Sequence, residues 1–289
     1  MIRIGTRGSA LALAQATLVA DRFEDETELV AITTSGDTGA TREDKSRWVS
    51  ELERALLDDA IDVAVHSAKD VPAELAEGLE LVAFPRRADP RDVICGAASL
   101  GELEPGSHVG TSSLRRAAQI KAVREDLEIV SVRGNVDTRL RKLSEGQFDA
   151  LVIALAGLER LGRREAGAVL EELVPAAGQG ALALEARPER LSSEALAPLR
   201  DEETAACVGA ERELVHALGA SCNTPVGAHA RRAGDGRLEL VAWVGLPDGS
   251  AWLRDRVCGD RGGLGSIAAE RMLSAGAKEL LLEAERSLA

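Results

Sequence analysis

Short apolar runs alternate with longer amphipathic segments over the first two-thirds of the chain, a rhythm that predicts strands feeding helices. Ile2 to Gly5 reads as a strand, and the Ala- and Leu-rich stretch Ala10 to Phe23 as a helix that Ser9 is placed to cap. Leu29 to Thr33 is the next strand. The polar stretch Ser35 to Arg47 reads as a loop, Trp48 to Asp58 as a helix, and Ile61 to Val65 as a short buried strand ending on His66-Ser67-Ala68-Lys69-Asp70.

Prolines at both ends of Pro85-Arg86-Arg87-Ala88-Asp89-Pro90 mark a hinge. Beyond it come strands Val109 to Thr111, Ile129 to Val132 and Ala150 to Leu155, with helices Leu114 to Arg124 and Val136 to Leu143 between them. Pro175 to Gly180 reads as a return crossing, and Ala181 to Glu185 as a strand that either lobe could take. After Asp201 the rhythm changes. A helix from Glu202 to Leu218 leads into a small-residue loop holding Cys222; strands Leu238 to Val244 and Trp252 to Val257 then flank the hairpin signal Pro247-Asp248-Gly249-Ser250. One long helix, Ile267 to Ser287, closes the chain. The expected fold is α/β: two lobes of similar size and a small C-terminal α+β unit.

Composition narrows the function. A chain of 289 residues, 45% of them hydrophobic, can bury a substantial core. No stretch approaches the roughly 18 apolar residues of a membrane helix, and the N-terminus opens directly into a strand pattern, so a soluble, cytoplasmic protein is expected. Cys95, Cys207, Cys222 and Cys258 form no Cys-x-x-Cys pair and the four histidines are scattered, which argues against a metal site or a disulfide framework. A net charge of -13 and few aromatics argue against nucleic acid as a partner. Basic residues are mostly arginine, with lysine at Lys45, Lys69, Lys121, Lys142 and Lys278. That skew fits adaptation to high salt, and a GC-rich genome would favour it too.

Three turns place arginine beside small polar residues just before a helix: Thr6-Arg7-Gly8-Ser9, Thr111-Ser112-Ser113-Leu114-Arg115-Arg116 and Arg133-Gly134-Asn135, with Arg139 farther along the last helix. Free N–H groups at helix starts and planar guanidinium forks together describe an anion-binding cleft. Asp70 follows Lys69 at the end of a buried strand, where open α/β sheets place ligands and where a carboxylate can act as general acid or base. A Lys-Asp surface pair is the plain alternative. His66 reads as a structural hydrogen-bonding residue. Cys222 is either an idle thiol or an attachment point, and its spacing alone does not choose.

Five blocks resemble, in order along the chain, the porphobilinogen deaminase (hydroxymethylbilane synthase) family. They are Thr6-Arg7-Gly8-Ser9-Ala10-Leu11-Ala12-Leu13-Ala14-Gln15, His66-Ser67-Ala68-Lys69-Asp70-Val71-Pro72, Gly110-Thr111-Ser112-Ser113-Leu114-Arg115-Arg116, Arg133-Gly134-Asn135-Val136-Asp137-Thr138-Arg139-Leu140 and the loop Gly219-Ala220-Ser221-Cys222-Asn223-Thr224-Pro225. Asp89-Pro90-Arg91-Asp92, Ala156-Gly157-Leu158-Glu159-Arg160-Leu161 and Gly178-Gln179-Gly180-Ala181 agree as well.

The resemblance implies two lobes similar to periplasmic binding proteins, residues 1–84 with 181–198 and residues 89–174, and a cofactor-bearing α+β domain, 202–289. It implies a transferase that joins four porphobilinogen molecules head to tail, releases ammonia at each addition and yields hydroxymethylbilane for tetrapyrrole biosynthesis. A dipyrromethane cofactor would be held through a thioether to Cys222, with no metal, and the enzyme would be a monomer. Asp70 would be the catalytic residue. Lys69, Asp70, Ser113, Arg115, Arg116 and Arg133 would hold the cofactor, while Arg7, Ser9, Lys45, Arg139 and Arg160 would bind substrate carboxylates. Lys45-Ser46-Arg47-Trp48 and Ala220-Ser221 depart from the glycine-rich runs usual in relatives. A non-catalytic binder of small anions is the alternative, but it gives Cys222 and Asp70 nothing to do.

Overall fold

The computed structural model describes residues 1–32, 46–163, 167–220, 224–260 and 262–288. The chain divides into two compact units, Met1–Ala88 with Gly180–Ala206, and Asp89–Gln179 with Cys207–Ala289. It begins with β1 (Ile2–Arg7), α1 (Ala10–Ala20), β2 (Thr27–Ile32), α2 (Ser46–Leu57), β3 (Val63–Ser67) and β4 (Glu80–Ala83). The next stretch holds β5 (Asp92–Cys95), β6 (His108–Gly110), α3 (Leu114–Val123), β7 (Glu128–Val130), α4 (Val136–Ser144), β8 (Ala150–Ala154), α5 (Leu155–Arg160) and β9 (Ala168–Leu170). Then come β10 (Leu182–Ala186), α6 (Ser193–Leu196), α7 (Glu202–Ala217), β11 (Val226–Arg232), β12 (Leu238–Gly245), β13 (Trp252–Gly259), α8 (Leu264–Ser274) and α9 (Ala277–Leu288).

In the first unit the described strands form one sheet in the order β2-β1-β3-β10-β4. β1 runs parallel to β2 and β3, whereas β10 is antiparallel to β3, with Leu182 opposite Ser67, and to β4. The strand left open between the lobes therefore belongs here. α1 closes one face of the sheet through Ala16 and Val19 against Ile4, Val63, Val65 and Leu184. α2 closes the other through Leu52 and Leu56 against Ile61 and Ala64. Burial on both faces explains why the inner strands β3 and β10 are largely apolar.

In the second unit one sheet has the order β7-β6-β8-β5-β9, again a parallel trio followed by an antiparallel strand and an edge. Ile94, Val109, Ile120 and Val152 fill one side, and Val93, Val132, Leu151 and Leu158 the other. A second sheet, β11-β12-β13, is antiparallel, with α8 packed on β13 and α9 on β12. Trp243 of β12 meets Ala118 of α3 and Val174. Glu211 of α7 is buried and accepts the N–H groups of Gly178 and Ala230, each at 2.7 Å. The fold is α/β, two lobes plus a small C-terminal α+β part.

Four strands were not anticipated. β4, β5 and β9 span four, four and three residues, too few to display a period. β11 follows the Cys222 loop and is masked in the sequence by His229, Arg231 and Arg232. The single terminal helix is two helices. Gly276, at a φ of +103°, takes the left-handed conformation that ends α8, and its N–H turns back to the carbonyl of Leu273 at 3.1 Å.

Candidate active site

Parallel pairing brings the C-terminal ends of β1 and β3 to the same edge of the first sheet, so Arg7 and the segment from Ser67 to Asp70 are presented together. Ser9 has extended backbone angles and its Oγ accepts the Ala12 N–H at 3.3 Å, the cap expected for α1. After β3 the chain tightens into a 3-10 turn, Ala68–Asp70, whose first N–H donates to the Ala181 carbonyl at 3.0 Å. Arg7, Ser9, Gln15, His66, Ser67 and Asp70 line one cavity between α1, α2 and the sheet. Gln15 is buried, and its Nε2 donates to Ser67 Oγ at 2.9 Å. Lys69 and Asp70 are both half-buried.

His66 does not stand alone. Its Nε2 lies 2.9 Å from Oε2 of Glu185, and both side chains are buried.

The second unit repeats the device on its own sheet. β6, β7 and β8 run parallel, so the turns after Gly110 and Val130 and the start of α5 share one edge. Ser113 caps α3 by accepting the Arg116 N–H, and Asn135 caps α4 by accepting the Thr138 N–H at 2.8 Å. Gly134 takes a φ of +115°, and a Cβ there would stand 2.7 Å from Thr138. Arg133 is exposed at this turn.

Arg115 and Arg116, expected as forks for ligand carboxylates, are buried and close on an internal one. Arg115 Nη1 lies 2.8 Å from Asp92 Oδ2 and Arg116 Nη2 2.8 Å from Asp92 Oδ1. Gln179 completes the knot, donating from Nε2 to Asp92 Oδ1 at 2.8 Å, and Arg115 also donates to the Val174 carbonyl at 2.6 Å. Burial alone would raise the Asp92 carboxyl, but Arg115 and Arg116 override it and hold it well below the usual carboxylate range. Burial lowers the Arg115 guanidinium.

Two further arginines sit in this half. Arg139, one turn into α4, donates from Nε to the Gly134 carbonyl at 2.8 Å, and burial followed by the nearby Arg116 charge lowers its guanidinium. Burial pushes Arg160, at the end of α5, down to about 10. Cations desolvated in this way suit an anion that restores their charge balance.

Cys222 and Lys45 lie outside the described residues, as do 33–45 as a whole. Sequence reasoning did not single out Gln15, Asp92, Gln179 or Glu185 for any role. The acidic residue inside the apolar run Ala181 to Glu185 was a signal for the last of these. Among the described residues no group of three or more His, Cys, Asp or Glu is placed to hold a metal ion, and no helix is long and apolar enough to cross a membrane.

Residues 2–195 match the family model described as "Porphobilinogen deaminase, dipyromethane cofactor binding domain". The chain belongs to the porphobilinogen deaminase family. Residues 205–274 match the model of the porphobilinogen deaminase C-terminal domain. The porphobilinogen deaminase of Thiobacillus denitrificans is 46% identical over 299 residues, covering 97% of each chain. That of Thermus thermophilus is 44% identical, covering 98% of this chain and 99% of its own. Among solved structures, immunogenic lipoprotein A from Vibrio vulnificus superposes with a TM-score of 0.42 at 13% identity, over 71% of this chain and 96% of that one. The porphobilinogen deaminase family consists of transferases, and membership favours the enzyme over the non-catalytic anion binder.

Proposed function

We propose that this chain condenses porphobilinogen head to tail into hydroxymethylbilane, with Asp70 as its acid–base group and Cys222 as the anchor of its dipyrromethane. The observation that carries the reading is the placement of Asp70 at the end of β3 in one cavity with Arg7 and Ser9. The residues suit the cofactor. Its pyrroles bear acetate and propionate groups, and the desolvated Arg139 and Arg160 are cations lacking the full solvation of a surface arginine. When bound, the dipyrromethane supplies the terminal pyrrole from which the product grows.

Arg7, Ser9 and Lys45 bind substrate carboxylates, and Lys69 lies next to Asp70 in the chain. Ser113, Arg133, Arg139 and Arg160 bind them in the second unit. Arg115 and Arg116 act chiefly by holding a fixed positive field over the start of α3, since Asp92 occupies much of their hydrogen-bonding capacity. Each charge-assisted contact contributes about 1.5 to 3 kcal/mol, so three at the upper end of that range reach the ~8 kcal/mol of micromolar binding.

At the reacting carbon the substrate C–N bond breaks, the electron pair leaves with nitrogen as ammonia, and the methylene carbon becomes cationic. Asp70 as the acid gives the amine its proton, and the carboxylate that remains stabilises the cation. After the new C–C bond forms, the same carboxylate takes the proton released from the pyrrole ring, which returns Asp70 to its starting state.

We also read the C-terminal sheet with α8 and α9 as a third domain, because β11, β12 and β13 pair only with one another among the described strands. A cytoplasmic monomer is our reading of the charge and the absence of an apolar span among the described helices. The acidic, arginine-rich composition supports a working environment of high salt.

The intact denatured mass of the purified protein, beside its Cys222→Ser variant, tests the reading. A mass excess of one dipyrromethane on the parent and none on the variant is expected. A parent that stays unmodified after incubation with porphobilinogen would overturn it in favour of the anion binder.

A further inference from the structure

β10 is the strand that returns to the first sheet and inserts beside β3. It alternates, with Leu182, Leu184 and Ala186 facing the α1 core and Glu185 on the side of α2. Glu185 is fully buried there, on a face otherwise built from Leu52, Leu56, Ile61 and Ala64. An isolated carboxylate in such a layer costs several kcal/mol, and an apolar residue of the same volume would pack as well or better.

What Glu185 meets is His66, Nε2 to Oε2 at 2.9 Å, and the imidazole is buried as well. His66 lines the cavity that also holds Asp70, Arg7 and Ser67, four residues before Asp70 on the same strand end. From α2, Glu53 adds a second carboxyl near Glu185 and is itself fixed by the Ala76 N–H at 3.0 Å. Burial first, and the neighbouring Glu185 charge after it, raise the Glu53 carboxyl above its ordinary value.

We propose that Glu185 is a positioning residue for Asp70, acting through His66. The ties at and just before the turn Ala68–Asp70 include the Ala181 carbonyl, the Gln15–Ser67 pair and the His66–Glu185 pair. The first is backbone and the second closes on α1. The third sets a buried carboxylate 2.9 Å from the imidazole on the opposite face, at the strand end that delivers Asp70. Displacing a reacting group by about 1 Å costs on the order of a hundredfold in rate. The inference rests on Asp70 being the acid–base group.

The test compares kcat and KM for porphobilinogen among the full-length parent, Glu185→Gln, His66→Gln, the double variant and Asp70→Asn, each normalised to the cofactor-loaded fraction read by intact mass. Glu185→Gln is expected to lower kcat about ten- to a hundredfold with KM within about twofold. His66→Gln should do the same, and the double variant should be no worse than the poorer single one, as for two residues acting as a unit. A merely structural pair would lower the melting temperature and the loaded fraction but leave kcat per loaded molecule unchanged, and that result overturns the proposal. Should Glu185→Gln fail to accumulate, an unchanged kcat in His66→Gln overturns it equally. Full turnover in Asp70→Asn would instead remove the Asp70 assignment, a failure distinct from an inactive Asp70→Asn beside a fully active Glu185→Gln.

Discussion

The carboxylate of Asp92 and the guanidinium of Arg116 meet at 2.8 Å with both side chains withdrawn from solvent. Asp92 begins β5, which pairs antiparallel with β8 and β9, and Arg116 lies in the first turn of α3, so the pair ties a helix start to an interior strand of the sheet. Removing one partner strands the other charge. Asp92→Asn should cost about 3 to 5 kcal/mol, because Arg115 and Arg116 remain buried with their counter-charge gone.

The same pair sets a pH signature. Burial opposes ionisation of Asp92, but its arginines prevail and its folded pKa is depressed. A depressed carboxyl stabilises the fold fully above its unfolded value, about 3.9, and loses that contribution as pH falls toward the folded one. Urea unfolding of the parent and of Asp92→Asn should therefore differ by a constant amount between pH 7 and 5, and the gap should narrow below about pH 4. A gap unchanged down to pH 3 would contradict this account of the knot.

Asp70→Asn keeps the size of the side chain but cannot give or take a proton. Turnover should fall about 10²- to 10⁴-fold, the span expected for loss of a general acid–base group. Substrate affinity should change only a few-fold, since the arginines and not Asp70 meet the carboxylates. Single-turnover kinetics with equilibrium binding separates the two, and an equal loss in both would recast Asp70 as a binding residue.

Arg160 and Arg139 carry a different expectation for stability. Both are cations disfavoured by burial, so replacing either by Gln trades relief of that cost against lost contacts such as Arg139 Nε to the Gly134 carbonyl, and should leave the melting temperature nearly unchanged. Binding of porphobilinogen should weaken about ten- to a hundredfold per site, matching one lost charge-assisted contact. A variant that unfolds more easily and binds normally would make that arginine structural.

What the chain disclosed in advance follows from how local each signal is. Ser9 was legible as a cap because a cap and its helix are adjacent in sequence, whereas Ser113 and Asn135, quoted like it in arginine-bearing turns, were not read as caps. The position of Asp70, just after a buried strand, was legible. The Asp92 knot was not, because its partners Arg115, Arg116 and Gln179 are brought to it by sheet order and not by spacing. Glu185 was hidden for the same reason, since only the register of β10 on β3 sets it diagonally from His66. The break at Gly276 escaped notice because the apolar period continues across it, while a single positive φ redirects the backbone.

Gly134 offers a sharp local test of the arginine turn in the second unit. It stands between exposed Arg133 and the cap Asn135, at a φ where an L side chain is strained and where a Cβ would press on Thr138 at 2.7 Å. Gly134→Ala should cost about 1 to 3 kcal/mol of strain and displace the Arg133 side chain from its bearing. Porphobilinogen binding should weaken with the fold otherwise intact by circular dichroism. A variant as stable and as tight-binding as the parent would show that the turn tolerates the residue and that Arg133 does not depend on it.

A charge of -13 on 289 residues repels itself in dilute buffer, and the same charge repels a substrate bearing two carboxylates. At 1 M salt the Debye length is about 3 Å, which silences the long-range field while contacts at hydrogen-bond distance, such as those expected from Arg7 and Arg160, persist. Activity and melting temperature should therefore both rise from low ionic strength to molar potassium chloride, with KM falling more than kcat rises. The comparison is a steady-state assay and a thermal melt across that range. Equal activity and stability at both ends would assign the arginine-over-lysine skew to genome composition alone, and the acidic surface would then need no explanation from the medium.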